Sequence, residues 1–374
     1  MNAWMNRNGL AGLLTATGVL VACGSAAAQN LSCLSDEFES ASTLSAWSRV
    51  EQAEQWNTEP LQTWDVNQST LGAMTMVPHT VTWYRDYRGP LAFKTVTGDF
   101  AITLAVRATA RDGASVPASQ FSLAGAMIRA PRAITPATWT GGGENYVFLS
   151  LGYGNAVPRR FQYEVKTTVA GDSQLVLSDA PGPEVVLQIV RIGQHVICLR
   201  QSPGGAWTVH ARYSRADLPS TLQVGLVAYT DWQKVSIFDP FVHNSNALTS
   251  PLPPGVTDPN PAVPFNPDLR ATFDYARFAS PVVPAPLVGA NLSNPSVVTD
   301  AALLSFLGAS LNVATIPCNP CAADFNADGF LDFTDFDDFV VSFEAGDPTG
   351  DFNADGFLDF TDFDAFVEAF EAGC

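Results

Sequence analysis

The feature that most restricts this chain is a string written twice near its end. Residues 324–346 recur as residues 351–373, an offset of 27, with differences only at Asp338/Ala365, Val341/Glu368 and Ser342/Ala369. Each copy opens with DFNADGFLDFTD. Side-chain oxygens stand at alternate positions of a twelve-residue stretch, with a glycine sixth. A calcium ion takes six to eight hard oxygen ligands, and such a loop supplies them from positions 1, 3, 5, 7, 9 and 12. In the first copy these are Asp324, Asn326, Asp328, the Phe330 carbonyl, Asp332 and Asp335. In the second they are Asp351, Asn353, Asp355, the Phe357 carbonyl, Asp359 and Asp362. Gly329 and Gly356 allow the sharp turn.

After each loop phenylalanines recur at three- and four-residue steps, which predicts one amphipathic helix per unit. Nothing before either loop reads as an entering helix: Pro317 and Pro320 precede the first, and Pro348 lies just ahead of the second. Two tandem loop–helix units with Asp at position 12 resemble the type I dockerin, and the final Gly373-Cys374 resembles its GC-type variant. The resemblance implies two calcium ions and a cohesin-like or surface-anchoring partner. That partner would be met at positions 10 and 11 of each loop, here Phe333 with Thr334 and Phe360 with Thr361. An aromatic at position 10 departs from the cellulosomal pattern.

The charge follows the same division. No Lys or Arg occurs after Arg277, and that stretch holds 16 acidic groups; the residues up to Arg277 hold 21 acidic and 19 basic. Most of the net charge of −18 therefore belongs to the repeats. Nucleic-acid binding, which needs a basic surface, is excluded. Residues 1–28 read as an export signal, with Arg7 ahead of an apolar run too short for a membrane span. Two processing routes stay open. Ala26–Ala28 suits cleavage before Gln29, giving a secreted protein. Leu20 to Cys23 resembles a lipobox, which would acylate Cys23 and make an outer-membrane lipoprotein; only then is a membrane involved. Export permits disulfides. Cys318 or Cys321 with Cys374 would clamp the repeats, while the Cys318/Cys321 pair lacks the second Cys/His pair a zinc site needs.

From residue 36 to about 278 the signals are β. Alternation marks strands at 100–106, 146–151, 161–169, 175–177 and 222–230, and a meander at 185–192, 195–201 and 206–213. Residues 231–268 carry eight prolines and read as a loop or insertion; 271–278 reads as a last strand pairing near residues 36–38. The expected fold is mainly β: a two-sheet antiparallel jelly-roll sandwich, then a small α-helical domain of tandem calcium loop–helix units. The opening Asp36-Glu37-Phe38 with Trp47, the stretches 98–102 and 188–230, and the closing Phe273 to Tyr275 resemble the concanavalin A-like lectin/glucanase superfamily in its laminin-G-like form. The expected domains are a signal at 1–28, the sandwich at 34–280, a linker at 281–320 and the calcium module at 321–374. Within the linker, Thr299 would cap a short helix.

Glycosidases of that superfamily carry clustered carboxylates on one strand, and no such cluster occurs here. Neither a Gly-x-Ser-x-Gly elbow nor a zinc-like histidine pairing is present. The best binding candidate is the run from Trp83 to Gly89. There Trp83, Tyr84, Asp86, Tyr87 and Arg88 combine aromatic faces with polar groups, as sugar sites do. The alternative puts Trp83 and Tyr87 in the core. Trp64, Trp139 and Trp232 are further candidates, and Asp36 with Asp274 would suit a third calcium. The expected function is an exported, non-catalytic carbohydrate- or surface-ligand-binding protein docked through its calcium module. A secreted glycoside hydrolase with its site in the sandwich and a structural surface protein are the alternatives.

Overall fold

The computed structural model describes residues 31–56, 58–314, 322–326, 331–353 and 355–372. The export signal, Cys23, Cys318, Cys321, Cys374 and Asp328 to Phe330 lie outside them.

Fourteen strands form two antiparallel seven-stranded sheets. The first sheet runs β1 (Ser48–Arg49), β4 (Leu91–Thr97), β13 (Thr221–Tyr229), β6 (Ser122–Arg129), β7 (Tyr146–Tyr153), β8 (Gln162–Val169), β9 (Asp172–Asp179). The second runs β12 (Thr208–Ser214), β11 (His195–Gln201), β10 (Glu184–Ile192), β5 (Phe100–Thr109), β14 (Arg270–Ala279), β3 (Met74–Pro78), β2 (Leu61–Val66). The chain changes sheet repeatedly, which is compatible with a jelly roll. Inward side chains at every second position make the core between the sheets, among them Ile102, Leu104, Val106, Leu149, Leu187, Ile189, Leu226 and Phe273. As the sequence suggests, Asp36 bridges Ala276 of β14, so the first described residues close against the last strand.

Residues 231–268 form no strand. They carry the short helices α2 (Trp232–Val235) and α3 (Pro240–Ser245), after α1 (Val50–Ala53) earlier in the chain. The buried Lys234 holds this loop: its Nζ pairs with Asp258 at 2.6 Å and donates to the carbonyls of Asn260 and Val263.

Of the expected linker, residues 281–314 are described. They lie against the outer face of the second sheet. Leu292, Val298, Leu303, Phe306, Leu307 and Leu311 pack on Ala101, Val190, Ile197 and Leu199. Helix α4 (Asp300–Leu304) begins where Thr299 accepts a hydrogen bond from Ala302 N, as its sequence predicts. The buried Gln188 clamps the strap at Gly308, accepting from its N–H at 2.9 Å and donating to its carbonyl at 3.1 Å. Gly308 has φ +73°, and a Cβ there would meet the Trp207 ring at 2.9 Å. The extended look of the sequence arises from its prolines; the apolar residues between them are irregularly spaced because they follow a sheet surface, not a helix period.

The C-terminal repeats form α5 (Phe333–Ala345) and α6 (Phe360–Ala372). Helix α5 starts in a capping box between Asp332 and Asp335 and ends at Gly346, φ +69°. The phenylalanine stripes meet in one aromatic core around Phe339 and Phe366.

Candidate functional site

The outer face of the first sheet is where the chain concentrates buried charge and aromatic surface. The sequence run 83–89 crosses it, but not as one ligand-facing patch. Trp83 is fully buried, edge-on to Tyr146, and donates from Nε1 to Pro90 O at 3.0 Å. Arg88 is buried too, paired with Glu54 and, through Nε at 3.2 Å, with Glu144. Both are therefore interior groups, not ligand contacts; a run of mixed aromatic and charged residues does not reveal which members turn inward. Asp86 accepts from Gly142 N at 2.9 Å and pins the 131–144 loop. Tyr87 donates to Phe238 O at 2.8 Å and abuts Trp232 and His243 edge-on.

Beneath these residues lies a closed ion network. Arg129 grips Glu144 with two bonds, at 2.7 and 3.0 Å, and reaches Glu54 at 2.9 Å and Gln223 at 2.6 Å. Arg132 adds a bond of 2.8 Å to Glu144. Burial alone would raise the Glu144 carboxyl, but Arg129, Arg88 and Arg132 hold it down at about 2. Within this network arginines occupy both Glu54 and Glu144, while beside it the buried Glu51 is raised to about 7 by burial. His243, buried and accepting from Thr82 N at 3.2 Å, is pushed down to about 4 by that burial.

An open pocket of about 150 Å³ lies beside this network, lined by Thr82, Tyr84, Phe121, Lys166, Leu175 and Trp232. A two-residue hairpin positions Tyr84: Tyr87 N donates to Tyr84 O at 2.9 Å across Arg85, and Arg85 N is tied to Ser173 Oγ. Tyr84 and Trp232 meet edge-on, ring centroids 5.1 Å apart. Asp231 orients Trp232 from the preceding position, its Oδ2 accepting from Thr80 Oγ1 at 2.7 Å and Asn266 N at 2.8 Å. Lys166 closes the floor. Its Nζ donates to Trp83 O at 2.7 Å, stands 2.9 Å from Glu164 Oε1, and lies over the rings of Tyr84, Phe148 and Tyr229. Burial pulls the ammonium below its usual range, while Glu164 works the other way. Of the sequence candidates, Tyr84 and Trp232 come together here. Lys166 and Phe121 carried no sequence signal, since strand alternation places Lys166 on the outer face but not which residues cover it. Trp139 packs instead with Trp56 and Phe241, and Trp64 lies under Arg49.

In the C-terminal module the twelfth residue of each loop is buried and closes it. Asp335 accepts from Asn326 N at 3.2 Å and Asp332 N at 2.9 Å; Asp362 accepts from Asn353 N at 3.1 Å and Asp359 N at 2.9 Å. Position 12 is thereby tied to positions 3 and 9 in both repeats. In the second loop Asp351 accepts from Asp355 N and Gly356 N, Asn353 from Asp355 N, and Asp355 from Phe357 N. Among the described residues no three His, Cys, Asp or Glu side chains converge as a metal centre. The donor set nonetheless fits a hard cation: it is all oxygen, and no basic side chain follows Arg277. Phe333 and Phe360 stand 80% and 78% exposed, with Thr334 and Thr361 beside them also exposed. Thr361 Oγ1 donates to Asp359 at 2.7 Å.

The third calcium expected at Asp36 and Asp274 finds a different arrangement. Asp36 already accepts from Phe38 N at 2.8 Å and Trp47 Nε1 at 2.9 Å. Asp274 stands exposed at a bulge in β14. Cys33 is disulfide-bonded and Cys198 is free and buried, so the partner of Cys33 lies outside the described residues. Among the described residues no helix is long and apolar enough to cross a membrane.

No protein-family model matches the chain, and no curated protein matches it. Solved structures resemble it at low identity. A functionally unknown protein from Saccharomyces cerevisiae is 12% identical over 64% of this chain and 98% of its own, TM-score 0.41. The GH43 BlXynB protein from Bacillus licheniformis is 12% identical over 66% of this chain, TM-score 0.40; the match spans 39% of that longer protein. Basic winged bean lectin, solved with Tn-antigen, is 13% identical over 59% of this chain and 92% of its own, TM-score 0.35. These are likenesses only.

Proposed function

We propose that this is an exported protein whose sandwich binds a carbohydrate or other surface ligand, and whose C-terminal repeats dock it through calcium onto a cohesin-like or surface-anchoring partner. The observation that carries the reading is the pair of buried, loop-closing carboxylates, Asp335 and Asp362, in a stretch without one basic side chain. Bound calcium would supply the positive charge those loops lack. Asp324, Asn326, Asp328, Asp332 and Asp335 would hold one ion with the Phe330 carbonyl; the second set, Asp351, Asn353, Asp355, Asp359 and Asp362 with the Phe357 carbonyl, would hold the other. The exposed Phe333 and Phe360 then present the docking surface. The aromatic pocket supports ligand binding on the first sheet.

The full chain, in millimolar calcium, should retain glycans on an array and leave soluble polysaccharides uncleaved. Release of reducing sugar, abolished by one Asp or Glu substitution, would replace binding by catalysis. An array without any bound glycan would remove the carbohydrate half of the reading.

A further inference from the structure

We infer that the pocket between the 84–87 hairpin, Trp232 and strand β8 takes one ring of a neutral, hydroxyl-bearing sugar. This rests on the carbohydrate reading above and assigns its place and its chemical class. The size suits a single ring: a cavity of about 150 Å³ admits one benzene, and this pocket has that volume. The walls are Tyr84, Trp232, Phe121 and Leu175, surfaces against which the C–H face of a ring packs.

The floor decides the class. An ammonium carries three N–H donors, and the hydrogen bond of Lys166 to Trp83 O uses one. Glu164 stands 2.9 Å away, balances the charge and takes a second. The floor therefore has one donor to spare but no net charge to spare. A hydroxyl group satisfies such a donor. A carboxylate on the ligand would come up against Glu164, and an ammonium against Lys166, each in surroundings where water does not screen them.

Among the described residues seven non-glycine residues have positive φ, and three of them, Arg85, Phe121 and Asp231 at +52°, +54° and +67°, adjoin the pocket. Arg85 sits beside Tyr84, Phe121 is itself a wall, and Asp231 precedes Trp232. Backbone held in sparsely populated conformations concentrates at ligand sites, where the surrounding structure enforces it.

The test uses the full chain in calcium, with Trp fluorescence and calorimetry reading the binding of xylose, glucose, galactose and mannose, and of their short oligomers, against glucuronic acid and glucosamine. Two variants leave the buried floor intact: Trp232→Ala removes a wall, and Leu175→Trp fills the pocket. A neutral sugar is expected to bind best, and both variants to weaken it at least tenfold while the far-ultraviolet circular dichroism shows each variant folded. Neutral-sugar binding indifferent to both variants would overturn the site and leave the carbohydrate reading standing. Preference for glucuronic acid or glucosamine would overturn the class. If neither these sugars nor any array glycan binds, both inferences fall.

Discussion

Phe339 and Phe366 lie face to face, ring centroids 4.0 Å apart and planes 7° from parallel, and they are the same position of the two repeats. The rings around them pair off under an exchange of repeats. Phe325 meets Phe339 at 5.5 Å where Phe352 meets Phe366 at 5.3 Å, and Phe336 meets Phe370 at 5.8 Å where Phe363 meets Phe343 at 5.9 Å. The exposed Phe333 leans on Phe370 as Phe360 leans on Phe343, at 6.4 and 6.1 Å. The duplicated sequence thus folds into a duplicated object with a local two-fold axis through the Phe339–Phe366 stack.

Symmetry makes a quantitative claim. Phe339→Ala and Phe366→Ala should destabilise the module equally, each by about 3–5 kcal/mol as for other buried phenylalanines. Urea titration of the full chain, followed by its helical circular dichroism signal with calcium present, measures both. A difference above about 1 kcal/mol between them would show that the repeats are not energetically equivalent.

The strap over the second sheet belongs to the sandwich. Leu303→Ala, which empties a fully buried position in it, should cost about 2–5 kcal/mol. The loss should appear in sandwich unfolding, monitored by tryptophan fluorescence, with or without calcium. Chain that merely spaces two domains would tolerate the change without effect. Ending the protein at residue 280 should likewise give an aggregation-prone product, since Ala101, Val190, Ile197 and Leu199 lose their cover.

Acid should withdraw the contribution of His243, while Glu51, raised to about 7 by burial, titrates in the same window and works the other way. Burial holds the folded His243 down at about 4, against 6.5 when unfolded. The unfolded chain therefore binds the extra proton between those values. The His243 contribution is full above pH 6.5 and is lost as pH drops toward 4, on the order of 3 kcal/mol. His210, also pushed down to about 4 by burial and Arg200, titrates in the same window. The contribution of His243 is thus isolated by comparison with His243→Gln, whose urea midpoint should vary less between pH 7 and 4.5. Parallel curves for the two proteins would contradict the assignment.

Much of this structure can be read along the chain. Strands β10, β11 and β12 show themselves because turns at Gly193 and Gly204 separate alternating runs. Strand β6 does not. It is buried at every residue, as β7 is, but its centre is Ala124, Gly125 and Ala126, which carry little strand propensity, where β7 is aromatic and aliphatic. Met74–Pro78 is short and ends in proline. The repeats are legible because one string is written twice at a fixed offset. The pocket was legible only in part: Tyr84 and Trp232 stand out as aromatics, but nothing local announces that Phe121, Lys166 and Leu175 meet them. Long-range assembly carries that information.

Calcium titration of the full chain by calorimetry tests the central claim most directly. Two ions per chain should bind, helix content should fall on chelation, and Asp335→Asn or Asp362→Asn should each remove one ion. Absence of calcium binding, with the same circular dichroism in calcium and in EGTA, would contradict it.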